Sequence, residues 1–290
     1  MASEALFGGP QSQKLTAAEI DRQYNFRKLV PEHPAYFARW QAESEAARAR
    51  LSGRYDIPTG PHPRQRADVF PAGVFSAGES APVLVFIHGG YWRALSKDLH
   101  SFIAAPYVER GVAVVLLGYG LCPDVTMDEL CGHAQAGLDW VFANAASFGG
   151  DPRRVVVSGH SAGGHLTAKL VSENRDRVAG GIPISGLYDL EPMLGFEVNE
   201  QLRLDPDSAR RLSPIHAVPA PAPLLMPALG GLETDAMHRQ QADYALAWAA
   251  QGNAVREIVE PGADHFSVVD RFAEPGSLLF EAALAMLTDS

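Results

Sequence analysis

Residues 155–164 read VVVSGHSAGG, with Ser161 between glycines at its centre. A short apolar β-branched run precedes the pattern G-x-S-x-G, and a helix-prone stretch follows it. This context is typical of a nucleophile elbow, a tight strand-to-helix turn that raises a serine hydroxyl above a sheet. The glycines have no Cβ, so the strand and the helix can approach closely. The stretch therefore predicts that Ser161 is a nucleophile; a glycine-rich turn with an incidental serine is the alternative.

Length and composition favour one large globular unit. The chain has 290 residues, of which 47% are hydrophobic and 20% charged, a composition that excludes a disordered chain. Its formal net charge is -10 without a basic cluster, so we expect no nucleic-acid partner. Cys122 and Cys131 fit neither a metal spacing nor a disulfide scaffold. No apolar run reaches membrane-spanning length and no signal peptide is recognisable, so we expect a cytoplasmic protein that binds no membrane.

Hydrophobic patterning divides the chain into an N-terminal helical part and an alternating body. We expect disorder at residues 1–14 and a single domain at 15–290, with a helical extension at 15–60. Strands are predicted at 67–74, 83–88, 113–118, 154–159, 179–185, 223–229 and 254–260, and helices at 97–110, 126–147, 162–174, 235–251 and 276–288. This alternation favours a mostly parallel sheet with helices on both faces. Residues 187–221 lack a clear strand. They are interpreted as a cap insertion over the active site or as a helical insertion with a structural role, and the two interpretations are compatible.

A second motif lies upstream of the elbow. The strand predicted at 83–88 runs into the sequence HGGYW, which begins at His88. Acyl transfer passes through a tetrahedral oxyanion that needs backbone N–H donors directed at it, and glycines leave the main chain accessible. We therefore predict an oxyanion hole formed by Gly89, Gly90 and Ala162. His88, at the end of the strand, is interpreted as fixing this loop rather than as a base.

The remaining catalytic groups should follow the last two strands. His265 lies in a glycine-containing loop after the final strand, where a general base for Ser161 is expected. Glu233 and Asp235 both follow the penultimate strand. The spacing from Gly230 favours Glu233 as the acid, and Asp235 is then a helix-capping or first-turn carboxylate. The order nucleophile, acid, base is the order found in α/β hydrolases; Asp235 stays open as the alternative acid.

No group of histidine, cysteine and acidic residues has a convincing metal-ligand spacing. His160 and His165 flank the elbow and would occupy the space that a metal needs. We therefore expect neither a metal nor any other cofactor.

With these residues in place, the chain resembles the kynurenine formamidase (arylformamidase) branch of the α/β hydrolases from about Tyr24 to Leu287. The segments that carry the resemblance are HGGYW at 88–92, Glu233 with His238-Arg239-Gln240, GLYDLEP at 186–192, RLSP at 211–214 and Tyr24-Asn25. The branch commonly has Asp where this chain has Glu233. The resemblance implies an α/β-hydrolase fold, no metal, and an N-terminal region that closes over the pocket.

The resemblance also implies a substrate class. Members of the branch hydrolyse aryl formamides, so N-formyl-L-kynurenine, an intermediate of tryptophan catabolism, is the expected substrate. Tyr91 and Trp92 are placed to line the leaving-group pocket; packing of the loop against the core is the alternative for each. A broad carboxylesterase acting on small acyl aryl esters would need the same residues, and a non-catalytic binding protein on this fold would need a degraded triad. The expected partner is the small-molecule substrate; whether the chain forms a homodimer stays open.

Overall fold

A nine-stranded sheet forms the centre of the described part of the chain, residues 15–73 and 80–288 of a computed structural model. Its strands are β1 (Arg54–Pro58), β2 (Arg66–Phe70), β3 (Ala81–Ile87), β4 (Ala113–Leu117), β5 (Gly150–His160), β6 (Gly180–Ile184), β7 (Leu224–Leu225), β8 (Ala228–Gly230) and β9 (Ile258–Glu260). The disorder predicted at residues 1–14 lies outside the described residues.

The α-helices are α1 (Ala17–Tyr24), α2 (Phe26–Leu29), α3 (His33–Arg50), α4 (Ala104–Val108), α5 (Met127–Asn144), α6 (Ala162–Glu173), α7 (Asn199–Leu202), α8 (Pro206–Leu212), α9 (Asp235–Ala250), α10 (Ser267–Phe272) and α11 (Leu278–Thr288). Short 3-10 helices cover Lys97–Ile103, Ala145–Phe148, Glu191–Gly195 and Pro214–His216. None of the helices in the described ranges combines the length and the apolar character needed to cross a membrane.

The strand order is β1-β2-β4-β3-β5-β6-β8-β9, with β7 beside β6. Strands β3 to β9 pair in parallel, whereas β2 is antiparallel to both β1 and β4. The carboxyl ends of parallel strands meet at one edge of the sheet, where ligands bind in such folds. The loops after β3, β5, β6, β8 and β9 therefore converge there.

Two adjacent glycines of β6 show that helices cover both faces of the sheet. A Cβ on Gly180 would lie 2.8 Å from the sulfur of Met286 in α11, and a Cβ on Gly181 would lie 2.6 Å from Val171 in α6. Successive residues of a strand face opposite sides of a sheet. The predicted α/β-hydrolase architecture, a mostly parallel sheet with helices on both faces, is confirmed.

The N-terminal extension is helical as far as α3, but its last residues are not. Residues 54–58 form β1, so the prediction of a helical extension through residue 60 is wrong there. The physical reason is tertiary: β1 completes the sheet edge beside β2, where the rings of Tyr55 and Phe70 pack edge to face at 5.7 Å. Helix α3 docks on α10, because Trp40 Nε1 donates to Asp270 Oδ1 at 2.6 Å.

The boundaries of several other elements also differ from the sequence prediction. The strand predicted at 223–229 is divided into β7 and β8 on either side of Pro227, which has no N–H to donate to a neighbouring strand. The helix predicted at 97–110 is a 3-10 helix followed by α4. Residues 187–221 contain no strand and hold α7, α8 and two 3-10 helices. Their function as a cap stays a prediction.

Candidate active site

Ser161 is held in a strained backbone conformation at the carboxyl end of β5. Its φ is 57° and its ψ is -115°, a region that residues with a side chain rarely adopt. Its N–H donates to the carbonyl of Ile184 at the end of β6, 2.8 Å away. Ser161 immediately precedes α6, so its hydroxyl lies at the helix N-terminus, where developing negative charge is favoured.

The glycines of the elbow allow a very close approach to β3. A Cβ on Gly163 would lie 2.0 Å from the carbonyl oxygen of Ile87, and a Cβ on Gly159 would lie 2.5 Å from that of Gly163. No side chain fits in such gaps. The two glycines therefore bring Ser161 next to the loop that follows β3, as the sequence pattern predicts.

The structure brings Ser161, His265 and Glu233 together in one hydrogen-bonded chain. His265 Nε2 lies 3.1 Å from Ser161 Oγ, and His265 Nδ1 lies 2.7 Å from Glu233 Oε2. Since an ionised carboxylate only accepts, it assigns the proton to Nδ1 and leaves Nε2 free to accept the serine proton. The side chains of His265 and Glu233 are 5% and 0% exposed, so these hydrogen bonds are shielded from water.

The two candidate acids have different environments. Oε1 of Glu233 accepts hydrogen bonds from Ser185 Oγ at 2.5 Å and from Gly230 N–H at 3.0 Å. Asp235 is the exposed first residue of α9. The helix cap is Thr234, whose hydroxyl accepts from the main chain of α9. Asp235 therefore has the first-turn position predicted for it, and only Glu233 contacts the imidazole.

The oxyanion loop is oriented by hydrogen bonds to its carbonyl groups. The His88 carbonyl accepts from the hydroxyl of Tyr119 at 2.9 Å, and the Gly89 carbonyl accepts from His88 Nδ1 at 2.8 Å. In a trans peptide the N–H points opposite to the C=O, so Gly89 and Gly90 direct their amides away from these partners. The backbone N–H groups of Gly89, Gly90 and Ala162 have no hydrogen-bond acceptor among the described residues. Burial lowers the pKa of His88 to about 3, so its ring is neutral.

The two aromatic residues of the loop lie in different surroundings. Trp92 is fully buried, and its Nε1 donates to His165 Nδ1 at 3.2 Å. His165 Nε2 in turn donates to the carbonyl of Leu212 at 2.8 Å. Tyr91 is half-buried, and its hydroxyl donates to the carbonyl of Tyr24. Of the two predicted pocket residues, only Tyr91 exposes part of its surface in this structure.

Residues of the N-terminal extension cover the site. The ring of Phe26 stacks on His265, with 3.6 Å between centroids and 22° between planes. Tyr91 stacks on the Phe26 ring at 5.8 Å, and Phe196 packs edge-on against Tyr91 at 5.5 Å. We call the rings of Phe26, Tyr91 and Phe196 together the aromatic cover.

The extension also contacts the loop that carries the acid. The carbonyl of Gln23 accepts from the hydroxyl of Thr234 at 2.9 Å, and its side-chain Oε1 accepts from Ala236 N–H at 3.0 Å. The segment from Gln23 to Phe26 thus touches the acid loop, the oxyanion loop and the base loop.

One cluster of carboxylates has the spacing of metal ligands, but a lysine is at its centre. Among the described residues, Asp56, Asp68 and Asp98 bring oxygens within 4.8 Å of one another. Lys97 Nζ contacts all three, at 2.7, 2.7 and 2.8 Å, and Arg48 pairs with Asp68. The Lys97 ammonium lies where the three carboxylates converge and where a metal ion would bind, so these carboxylates do not fit a metal ion.

Sequence reasoning did not select three residues that contact the base or the acid. Phe26 was detectable only as an apolar residue beside the Tyr24-Asn25 segment. His160 was considered only as a residue that flanks the elbow, and its Nε2 donates to the His265 carbonyl at 2.7 Å. Ser185 has no local signal, because it contacts Glu233 only when β6 and β8 come together.

Three comparisons place the chain among known proteins. A family model described as the α/β hydrolase fold matches residues 84–213. Kynurenine formamidase from Danio rerio is 27% identical over 295 residues, covering 96% of this chain and 99% of that protein. A carboxylesterase from Mycobacterium tuberculosis is 36% identical over 107 residues, covering 37% of this chain and 33% of its own. A crystal structure from Silicibacter sp. TM1040 matches with a TM-score of 0.79 and 30% identity, covering 93% of this chain and 99% of that one.

The parallel sheet, the strained serine after β5 and these matches together define the class of protein. The chain has the α/β-hydrolase fold and is a hydrolase. Among proteins of this fold it is similar to kynurenine formamidase over nearly its whole length. The resemblance inferred from the sequence is confirmed.

Proposed function

We propose that this hydrolase cleaves aryl formamides, with N-formyl-L-kynurenine as the first substrate to test, and that Ser161, His265 and Glu233 form its catalytic triad. The observation that carries the proposal is the position of His265, whose two ring nitrogens bond Ser161 and Glu233. The nearly full-length similarity to kynurenine formamidase supports the choice of substrate.

The first half of the reaction forms a formyl-enzyme. Ser161 Oγ attacks the formyl carbon while His265 Nε2 accepts the serine proton, and Glu233 stabilises the imidazolium that results. The oxyanion is bound by the amides of Gly89, Gly90 and Ala162. When the carbon–nitrogen bond breaks, His265 returns the proton to the departing arylamine nitrogen.

The second half releases formate. A water molecule transfers a proton to His265 Nε2 as its oxygen attacks the formyl ester. The bond from the formyl carbon to Ser161 Oγ then breaks, and the imidazolium reprotonates the serine. All proton transfers use the protein's own side chains, so we propose a metal-independent reaction. A cytoplasmic location stays a prediction from the sequence, and whether the chain forms a homodimer stays open.

Two features of the site support an aromatic leaving group and a small acyl group. Phe26 of the aromatic cover stacks on the imidazole that must protonate the leaving amine, and stacked aromatic rings attract one another. On the acyl side the oxyanion loop approaches the nucleophile closely: a Cβ on Gly89 would lie 3.2 Å from Ser161 Cβ and 2.9 Å from the His160 carbonyl. Formyl is the smallest acyl group and fits such a site best.

The test is a series of acyl groups on one arylamine. For formanilide, acetanilide and butyranilide, we expect kcat/KM to fall at each step, because a larger acyl group displaces the carbonyl from the oxyanion donors. N-formyl-L-kynurenine should have the highest kcat/KM. Ser161→Ala is the control for background hydrolysis and should lose several orders of magnitude of kcat.

A carboxylesterase is the second candidate, supported by the local match to the mycobacterial carboxylesterase. The same acyl series on aryl esters separates the two functions, because an esterase should tolerate or prefer the longer acyl groups. A flat or rising profile with acyl length on both amides and esters would replace the formamidase proposal with the esterase.

A further inference from the structure

The carboxylate of Glu233 uses its two oxygens for different partners. Oε2 contacts His265, whereas Oε1 accepts from Ser185 Oγ at 2.5 Å and from Gly230 N–H at 3.0 Å. The side chain is 0% exposed, so its oxygens need hydrogen-bond donors from the protein in place of water. A hydroxyl that donates to a carboxylate typically does so at about 2.5–2.7 Å. The Ser185 hydroxyl is therefore a direct hydrogen-bond donor to Oε1 of Glu233.

Ser185 has a backbone conformation that a serine seldom adopts. Its φ is 48°, in the left-handed region that favours glycine. Its N–H donates to the carbonyl of Ala228 in β8 at 2.7 Å, and the residue is 2% exposed. Glycine would relieve the backbone strain but would leave Oε1 of Glu233 without a hydroxyl donor. The hydrogen bond from the Ser185 hydroxyl to Glu233 thus offsets the conformational cost of a serine at positive φ.

The carboxylate of a glutamate also needs more than one hydrogen bond to fix its orientation. Its side chain has three torsions, so a single bond to His265 would leave the carboxylate able to rotate about its last bond. With Gly230 and Ser185 both on Oε1, the plane of the carboxylate is fixed and Oε2 faces the imidazole.

We propose that Ser185 is a positioning residue for the reaction: its hydroxyl holds Oε1 of the Glu233 carboxylate and thereby directs Oε2 at His265 Nδ1. This inference rests on the triad of the proposed function, but it does not depend on which acyl group or leaving group the enzyme prefers. Ser185 acts through Glu233 and, in the part of the chain that the structure describes, makes no hydrogen bond of its own with Ser161 or His265.

The first test removes the hydroxyl without straining the chain. In Ser185→Gly, glycine adopts the positive φ freely, so a loss of activity reports the hydroxyl. We expect kcat for p-nitrophenyl acetate to fall about 10- to 100-fold with KM unchanged, as for the loss of one hydrogen bond to a charged group. Ser158→Ala is the matched control, because Ser158 is a buried serine whose hydroxyl donates to Ile182 at 2.8 Å. That variant should keep the wild-type kcat.

The second test asks whether Ser185 acts through Glu233. Single-turnover acylation by p-nitrophenyl acetate is measured in Ser185→Gly, Glu233→Gln and the double variant. If the hydroxyl works only by orienting the carboxylate, the double variant should be no slower than Glu233→Gln alone. A purely structural serine would give losses that multiply.

Two results would overturn the proposal: a wild-type kcat in Ser185→Gly, or multiplying losses in the double variant. Because p-nitrophenyl acetate is an activated ester, both tests work for a formamidase and for an esterase. Failure of the formamide preference with a non-additive cycle would reject the proposed substrate and keep Ser185 as a positioning residue.

Discussion

Mild acid should unfold this protein, because four imidazoles are buried in their neutral form. His88, His100, His160 and His165 are each 5% exposed or less. Burial lowers the pKa of His88 to about 3 and the pKa values of His100 and His165 to about 4. Burial also lowers the pKa of His160, well below its usual range.

The direction of the effect follows from the two states. In the unfolded chain a histidine has its ordinary pKa of about 6.5, so below that pH the unfolded state binds protons that the folded state does not. The stabilisation is fully present above pH 6.5 and is lost as the pH falls toward 4. Each such imidazole changes the free energy of unfolding by about 1.4 kcal/mol per pH unit in this window. Four together give a slope on the order of 5 kcal/mol per pH unit.

A domain has a free energy of unfolding of about 5–15 kcal/mol, so we expect cooperative unfolding at about pH 5. Urea unfolding followed by circular dichroism at pH 7.5, 6.5 and 5.5 measures the slope. His100→Asn should reduce it by about 1.4 kcal/mol per pH unit, since the amide can replace the contact of His100 Nδ1 with the Ser96 carbonyl. His216→Asn is the control at an exposed histidine and should leave the slope unchanged.

Two outcomes would refute this reasoning. One is a free energy of unfolding that stays constant between pH 6.5 and 5. The other is an equal pH slope of the unfolding free energy in the wild type and in His100→Asn, which would show that His100 has the same pKa in the folded and unfolded states.

Three further predictions concern the site and the elbow. Glu233→Gln should lower kcat by at least about 100-fold, whereas Asp235→Asn should stay within about twofold; a collapse of kcat only in Asp235→Asn would show that the wrong carboxylate was chosen. Phe26→Ala should raise KM for aryl formamides roughly 3- to 10-fold through the loss of ring stacking and spare the hydrolysis of ethyl formate; equal losses on both substrates would contradict an aryl-binding role. Gly163→Ala should abolish folding or cost at least about 3 kcal/mol of unfolding free energy, because its Cβ would meet the main chain at 2.0 Å. In contrast Gly132→Ala in α5, where a Cβ would meet nothing within 4 Å, should stabilise by up to about 1 kcal/mol, and denaturant titration of both variants checks the difference.

Local chemistry explains what could be predicted from the sequence. The elbow and the HGG turn depend on glycines at fixed offsets from a strand, and the alternating pattern indicated the parallel sheet that the structure confirms. The positions of Glu233 and His265 followed from chain order, and the structure joins Glu233 to His265 and His265 to Ser161; their catalytic roles stay predictions.

Tertiary contacts explain what could not be predicted. β1 forms a strand because it pairs with β2, and no local pattern marked it. Ser185 reaches Glu233 across 48 residues of sequence and Phe26 reaches His265 across 239. Such pairs depend on how strands and helices assemble, which single-sequence patterns do not contain.

The contacts of the N-terminal extension have a consequence for how this enzyme can be engineered. The segment from Gln23 to Phe26 touches the loops of the acid, the oxyanion hole and the base. A chimera that exchanges residues 15–30 with those of a relative would alter all three loops in one step. Swapping this segment is therefore a route to new selectivity that leaves Ser161, Glu233 and His265 in place. A chain shortened to its sheet and flanking helices would lose these contacts.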